Sequence, residues 1–412
     1  MKKVRDGYKM TELGEIPSEW EVKKLGELTK VMRGASPRPK GDPRYYGGSV
    51  PRLMIADVSR DGKYVTPQID FLTNEGAQKS RPMKKGDLVM SISGTVALPT
   101  FLAVDACIHD GFMGFNELDS MILKEFLYYQ ILYLREALIS QATDGGIYVN
   151  LTTDIVKGFN IVVPTLEEQE KIASILSNID EQIDNVDRLI EKNKELKKGL
   201  MQQLLTKGIG HTKFKRTEIG EIPSEWEVKQ LGEVANYING KAFKPSEWDT
   251  EGLPIIRIQN LNGANEYNYY SGIIDDKFII NKGQLLFAWS GSKGTSFGPF
   301  IWNNGKAVLN QHIFKVELNG LVDSIYGYYA LKQVTQIIEE SAHGSAGLVH
   351  VTKGALEKFK IGIPKIEEQR KLASILLEVD EKIKVYENKK NKLEMIKKGL
   401  MQKLLTGKIR VI

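Results

Sequence analysis

TELGEIPSEWEVKKLGE (Thr11–Glu27) returns 206 positions later as TEIGEIPSEWEVKQLGE (Thr217–Glu233), with 15 of 17 residues unchanged. A second pair follows at an offset of 200. Pro164–Thr206 opens PTLEEQEKIASIL and closes KKGLMQQLLT; Pro364–Thr406 opens PKIEEQRKLASIL and closes KKGLMQKLLT, with 22 identities in 43 positions. A weaker echo links KKGDLVMSISG (Lys84–Gly94) to NKGQLLFAWSG (Asn281–Gly291) at an offset of 197. A repeat of this length sets the architecture before any local feature is weighed. The offset drifts, so the material between the repeats has gained and lost residues. The chain reads as module, connector, module, connector. Constant connectors with divergent modules suggest a frame that presents two different readers.

The connectors are helices. Ile172, Leu176, Ile179, Ile183, Val186 and Ile190 step by four and three, which is a heptad seam. Leu372, Leu376, Val379, Ile383 and Tyr386 step the same way in the second copy. Each helix follows a proline, carries two glutamates in its first turn where the helix dipole favours them, and meets a glycine, Gly208 or Gly407, as a stop. About 40 residues at 1.5 Å each give a rod of roughly 60 Å. Asn193 and Lys390 fall on seam positions, the polar choice that fixes register. From Pro164 to Thr206 there are 6 basic and 9 acidic residues; from Pro364 to Thr406 there are 11 and 7. The opposite balances predict that the rods pair with each other, antiparallel, although two amphipathic helices packed separately on their own modules fit the same pattern.

The modules read as β-rich. Short runs at Val50–Val58, Asp87–Ser93, Pro254–Leu261 and Gln284–Ser290 are broken by Gly, Pro, Asn and Asp, and helical stretches follow at Lys124–Gln141 and Asp323–Ser341. The expected class is α+β: two similar β-rich α/β modules separated by two long helices forming an antiparallel coiled coil, with an internal pseudo-two-fold repeat. The expected segments are a first module at 1–160, a helix at 161–208, a second module at 209–362 and a helix at 363–412.

The 412 residues are 42% hydrophobic and 26% charged, the balance of an ordinary globular protein. No run approaches the ~18 apolar residues of a membrane span, and the opening MKKVRDGYKM lacks the apolar core of a secretory signal. Cys107 is the only cysteine, which removes intrachain disulfides and cysteine-rich zinc sites and points to a reducing cytoplasm. Net charge is +5, which permits a polyanionic partner without demanding one.

Catalytic patterns are absent from the sequence. There is no G-x-x-x-x-G-K-[ST], no G-x-S-x-G, no H-E-x-x-H and no Asn/Asp-Pro-Pro-aromatic tetrapeptide. The five histidines are scattered, with His343 and His350 seven apart, so no catalytic or metal site is expected. Basic residues are more informative. Leu28–Arg60 holds Lys30, Arg33, Arg38, Lys40, Arg44, Arg52 and Arg60 against Asp42 and Asp57, interleaved with Tyr45 and Tyr46. Such groups neutralise phosphates, and arginine pairs with guanine in the major groove; a solvated loop accounts for the same charge. The matching loop of the second module holds Lys241, Lys244, Arg257, Gln259 and Asn260, whose amides suit adenine edges. Ser93 and, in Ser290–Ser296, Ser290 and Lys293 sit in polar loops taken as able to reach a groove, while Gln311 and His312 either read bases or cap a strand.

With these motifs in order, the chain resembles the specificity subunit of Type I restriction–modification systems. The resemblance rests on Leu13–Glu27 and its copy Ile219–Glu233, Pro164–Leu176 with Pro364–Leu376, Lys197–Thr206 with Lys397–Thr406, ISGTVAL (Ile92–Leu98), and AHGSAGLVHVTKGALEKFKIGIP (Ala342–Pro364). It implies that each module is a target-recognition domain reading one half of a split double-stranded DNA sequence. It implies that the helices act as a ruler for the gap and dock two methyltransferase subunits. Those subunits carry S-adenosylmethionine, and a restriction (motor-nuclease) subunit using ATP joins for cleavage. This chain then carries no cofactor and no catalysis, works in a prokaryotic cytoplasm away from membranes, and is by itself a monomer or weak dimer. Because the module loops differ, the two half-sites should differ too. Two rival readings are a coiled-coil scaffold whose modules bind protein and a solitary DNA-modifying enzyme.

Overall fold

The structure is a computed structural model and describes residues 4–141, 143–145, 148–341 and 347–411. Its chain divides into two compact units, one of Met1–Asp187 with Asn388–Ile412 and the other of Arg188–Glu387. Both boundaries fall inside the long helices Leu166–Lys207 and Ile366–Leu404. Each unit therefore holds one β-rich module, the first half of one helix and the second half of the other. The segments read from the sequence cut the same chain at the edges of the helices instead.

In the first unit, a five-stranded sheet has the order Lys30–Arg33, Phe112–Asn116, Leu88–Ser91, Pro99–Leu102, Tyr64–Val65. A four-stranded sheet follows the order Asp70–Leu72, Tyr46–Leu53, Ala106–Ile108, Arg81–Met83. The second unit repeats this plan with Ala235–Asn239, Ile313–Leu318, Leu285–Ala288, Gly298–Ile301 and with Asn268–Tyr270, Leu253–Ile256, Ala307–Leu309, Ile279–Ile280. Two sequence-read runs were drawn too long as strands. Val50–Val58 ends its strand at Leu53 and turns into a short helix at Ile55–Asp61; Pro254–Leu261 ends at Ile256 and turns into Ile258–Leu261. In both, the fourth residue of the turn folds its side chain back onto a backbone N–H: Met54 N donates to Asp57 Oδ2 (3.0 Å) and Arg257 N to Asn260 Oδ1 (3.0 Å). That local hydrogen bond competes with ladder pairing and ends the strand.

The repeated motifs meet each other in space. In the first unit the Trp20 indole donates to Glu168 Oε2 (2.8 Å), and Arg410 adds two bonds to the same carboxylate (2.5 and 3.0 Å). In the second unit the Trp226 indole donates to Glu368 Oε2 (3.1 Å), with His211 Nε2 2.8 Å from Oε1. The adjacent glutamines are buried clamps. Gln169 donates to Met121 O and Pro164 O and accepts from Leu123 N; Gln369 does the same with Leu321 O, Pro364 O and Asp323 N. A buried amide with every group matched fixes one geometry, because an unmatched one costs about 1–3 kcal/mol. This explains why Ser-Glu-Trp and Glu-Glu-Gln recur together: they are the two halves of one joint.

The helix halves pair within each unit. In the first, Asp180 meets Lys397 (2.6 Å) and Asp187 meets Lys390 (2.7 Å), so seven residues forward on one helix are seven back on the other, and the pair is antiparallel. In the second, Lys197 meets Asp380. Ile172, Leu176, Val186, Ile190, Leu372, Leu376, Val379 and Ile383 are buried, and Ile179, Ile183 and Tyr386 are half-buried. The seam continues to the buried Leu393, which the sequence reading missed. The seam amide of Asn193 bonds to its own helix at Leu189 O (2.7 Å) rather than across the pair.

The helices also close the module cores. Ile172, Ala173, Leu176, Met401 and Leu404 join one cluster with Trp20, Phe115 and Phe126. Met201, Leu204, Leu372 and Leu376 join the other with Trp226, Phe287 and Tyr326. A polar tie sits at each joint: Tyr129 donates to Asp180 (2.6 Å) and Tyr329 to Asp380 (2.7 Å). In the first unit Lys63 also reaches Tyr129 Oη (2.8 Å) and Ser177 (3.0 Å), and burial holds its ammonium below the usual lysine range while burial pushes the Tyr129 phenol up.

Candidate nucleic-acid interface

Each module carries a corner where a strand of one sheet, Ala106–Ile108 or Ala307–Leu309, leads into a strand of the other: His109–Gly111 in the first unit, Asn310–His312 in the second. The backbone is the same in both. Gly34 N donates to Phe112 O (2.9 Å) and Ala35 N to Ile108 O (3.1 Å); Gly240 N donates to Ile313 O (3.1 Å) and Lys241 N to Leu309 O (2.9 Å). A Cβ at Gly34 would stand 2.0 Å from His109 O and one at Gly240 2.1 Å from Asn310 O, so only glycine lets the preceding strand pack on this turn. The side chains on the shared backbone differ completely.

In the first unit the corner is ionic. Asp110 accepts from the Ser36 hydroxyl (2.7 Å), lies 3.5 Å from Arg38, and its carbonyl accepts from Arg33 Nε (3.0 Å). Burial works to raise the Asp110 carboxyl, but the Ser36 bond and His109 hold it below its ordinary value. Burial, then the nearby Arg52 charge, pushes the His109 imidazole down. Arg33, Arg38 and Lys40 are exposed, as expected of phosphate contacts. Arg81, which the sequence reading missed, joins them and donates to Arg33 O (3.3 Å). It lies 48 residues from Arg33 in sequence and arrives by strand pairing with Ile108.

Two expected contacts lie elsewhere. Arg52 is buried, its guanidinium held by Asp70 and by Ser36 (2.8 Å), because its strand position points it into the smaller sheet's face. Tyr45 is buried, with the Lys79 ammonium 4.5 Å from its ring centre. Both belong to the interior of the module. Arg44 is exposed but paired with Asp42 (2.7 Å). Ser93 is half-buried beside Gly111.

In the second unit no carboxylate lines the corner. Arg257, Gln259, Asn310 and His312 line one concavity of about 200 Å³ with Ile258 and Ile313. The Trp289 ring stands 5.1 Å from His312 and 5.0 Å from His350. The sequence reading missed Asn310, Trp289 and His350 as partners of this place; the polar run Asn310-Gln311-His312 after an apolar strand was the available signal. Asn260 is not part of the surface. It is buried, and its amide donates to Ala264 O (3.1 Å) and Glu266 O (2.8 Å) to close its own turn. Ser290 is in a strand, Ser290–Ser292, paired with Leu348–His350, so the polar loop expected there is partly ladder. Lys293 donates to Glu339 O (2.8 Å). Lys241 pairs with Glu247, and Lys244 is exposed. Residues 342–346, with His343, lie outside the described residues.

Among the described residues no group of three or more His, Cys, Asp or Glu side chains is placed to hold a metal ion, and no helix is long and apolar enough to cross a membrane.

Residues 17–196 and 223–395 match the sequence model of the family described as the Type I restriction modification DNA specificity domain. The Type I restriction enzyme MjaVIII specificity subunit of Methanocaldococcus jannaschii is 29% identical over 96% of this chain and 94% of its own length. The EcoBI specificity subunit of Escherichia coli is 27% identical over 46% of this chain and 40% of its own. The solved S subunit of a Type I restriction–modification system from M. genitalium shares the fold, with a TM-score of 0.59 and 17% identity over 98% of this chain and 97% of that one. The two matched segments take in most of the sequence, one in each half, and the chain belongs to the Type I restriction–modification DNA specificity family.

Proposed function

We propose that this chain is the non-catalytic DNA reader of a Type I restriction–modification complex, in which each module recognises one half of a split, asymmetric duplex target. The antiparallel helices set the gap between the halves and offer docking surface to two methyltransferase subunits. S-adenosylmethionine and ATP belong to those subunits and to a restriction subunit, and the work is done in a prokaryotic cytoplasm.

One observation carries the reading. The residues that repeat are engaged inside the frame, as Trp20 with Glu168 and Trp226 with Glu368. The residues that differ line the equivalent corners, arginines and an aspartate in one, an arginine, amides and histidines in the other. Two different readers on one chain give bivalent binding whose strength depends on the distance between half-sites. Phosphate contacts from Arg33, Arg38 and Lys40 supply the charge-dependent part, and base edges supply the choice.

The test is genome-wide mapping of methylated adenine in cells carrying this gene with the methyltransferase gene of the same system. A motif in two unequal halves with a fixed gap supports the reading. An active methyltransferase with no split motif overturns it and favours a protein-binding scaffold.

A further inference from the structure

We infer that the concavity at the Asn310–His312 corner is a base-reading pocket in which Arg257 takes a guanine and the amides of Gln259 and Asn310 take a neighbouring adenine. The inference rests on the functional reading above and adds which bases the second module selects.

Arg257 is held ready for a ligand. Its Nε is buried without a hydrogen-bond partner among the described residues, and its guanidinium carbon lies 5.1 Å from the centre of the Trp248 ring. A buried donor left unmatched is a cost that a bound acceptor removes, and the nearby indole attracts the guanidinium through its ring quadrupole. No carboxylate lines the concavity, so nothing in it competes for the cation. Arg52 likewise leaves its Nε unmatched, but its two terminal nitrogens are held by Asp70 and Ser36; Arg38 lies near Asp110 and Arg33 donates to Asp110 O.

The amides are also uncommitted. Gln259 is exposed and Asn310 half-buried, and neither side chain makes a hydrogen bond among the described residues. Asn260, next in sequence, shows the contrast, with its amide fully engaged in its own turn. A guanidinium fork complements guanine O6 and N7, and a side-chain amide complements adenine N6 and N7, in the major groove. The rings of Trp289, His312 and His350 form the adjoining wall. The first module has Met54 and Ala56 at the places of Arg257 and Gln259, and His109 at the place of Asn310. It therefore does not present the same fork and amides at this corner.

The experiment maps methylated-adenine motifs for the intact complex and for the complexes carrying R257A and Q259A, with the melting temperature of each chain measured alongside. Expected for R257A is loss of preference for one guanine in one half, with about tenfold to hundredfold less discrimination there and the other half unchanged. Expected for Q259A is the same at one adenine of that half. Gln259 is exposed, so its variant keeps the test open if R257A fails to fold. An unchanged motif in Q259A, or a uniform drop in methylation across all sites with every preference kept, overturns the pocket while leaving the module's role intact. Absence of any split motif with the unaltered chain overturns the functional reading and the pocket with it.

Discussion

At the base of the first unit Glu168 is met by Trp20 and Arg410; at the base of the second, Glu368 is met by Trp226 and His211. The carboxylate and the indole are constant. The third partner is supplied three residues after the glycine that ends a long helix, Gly407 in one case and Gly208 in the other. The Glu168 side chain is 3% exposed and Glu368 is 18% exposed. The same joint is thus drier where a permanent cation closes it and wetter where an imidazole does. The corners show the opposite pattern, with one backbone and unrelated side chains. The comparison teaches that the duplication preserved what holds module to helix and left free what faces outward.

The largest expected effect tests the sameness of the joints. Trp20→Ala and Trp226→Ala each remove a fully buried indole, which costs about 3–5 kcal/mol. Urea titration should show each loss in the transition of its own unit; a change of less than about 1 kcal/mol in either would break the equivalence. The next effect tests the difference between the joints. Arg410→Ala leaves the dry Glu168 without its cation and should cost about 2–3 kcal/mol, whereas His211→Ala at the wetter Glu368 should cost about 1 kcal/mol. Equal losses would contradict the ranking by burial.

Smaller effects come from the helix–module ties. Tyr329→Phe removes one hydrogen bond to an aspartate and should lower stability by about 1–2 kcal/mol, and Tyr129→Phe, which also loses the bonds to Lys63 and Ser177, should cost at least as much, read from thermal unfolding. The smallest belongs to the pair Asp187–Lys390, whose side chains are 43% and 33% exposed. Asp187→Ala should change stability by less than about 1 kcal/mol and lose even that at high salt. A larger loss would mean that this pair sets helix register.

The repeat made the frame legible. The heptad steps from Ile172 and Leu372, the opposite charge balances and the paired motifs foretold two antiparallel helices, because each signal is local or lies at a fixed offset. The joints themselves were not legible. Nothing in Ser-Glu-Trp says that its indole will meet a glutamate 148 residues away. The candidate surface was read in part. Charge counts chose Arg33, Arg38 and Lys40, which the fold leaves exposed, but also Arg52, since composition cannot tell which face of a strand a residue takes; Asp70 holds it inside. Asn260 was chosen for its amide, yet the same amide serves best to close a turn. Arg81 and His350 were missed because strand pairing, not sequence proximity, brings them to their corners, whereas Asn310 was legible in the polar run it shares with Gln311 and His312.

The central claim is that the two modules read separate halves of one target. The most direct measurement replaces residues 28–160 with the corresponding module of another family member and maps adenine methylation before and after. The account predicts that one half of the split motif changes while the other half and its module's preferences persist. A motif that changes in both halves, or in neither while methylation remains active, would contradict it.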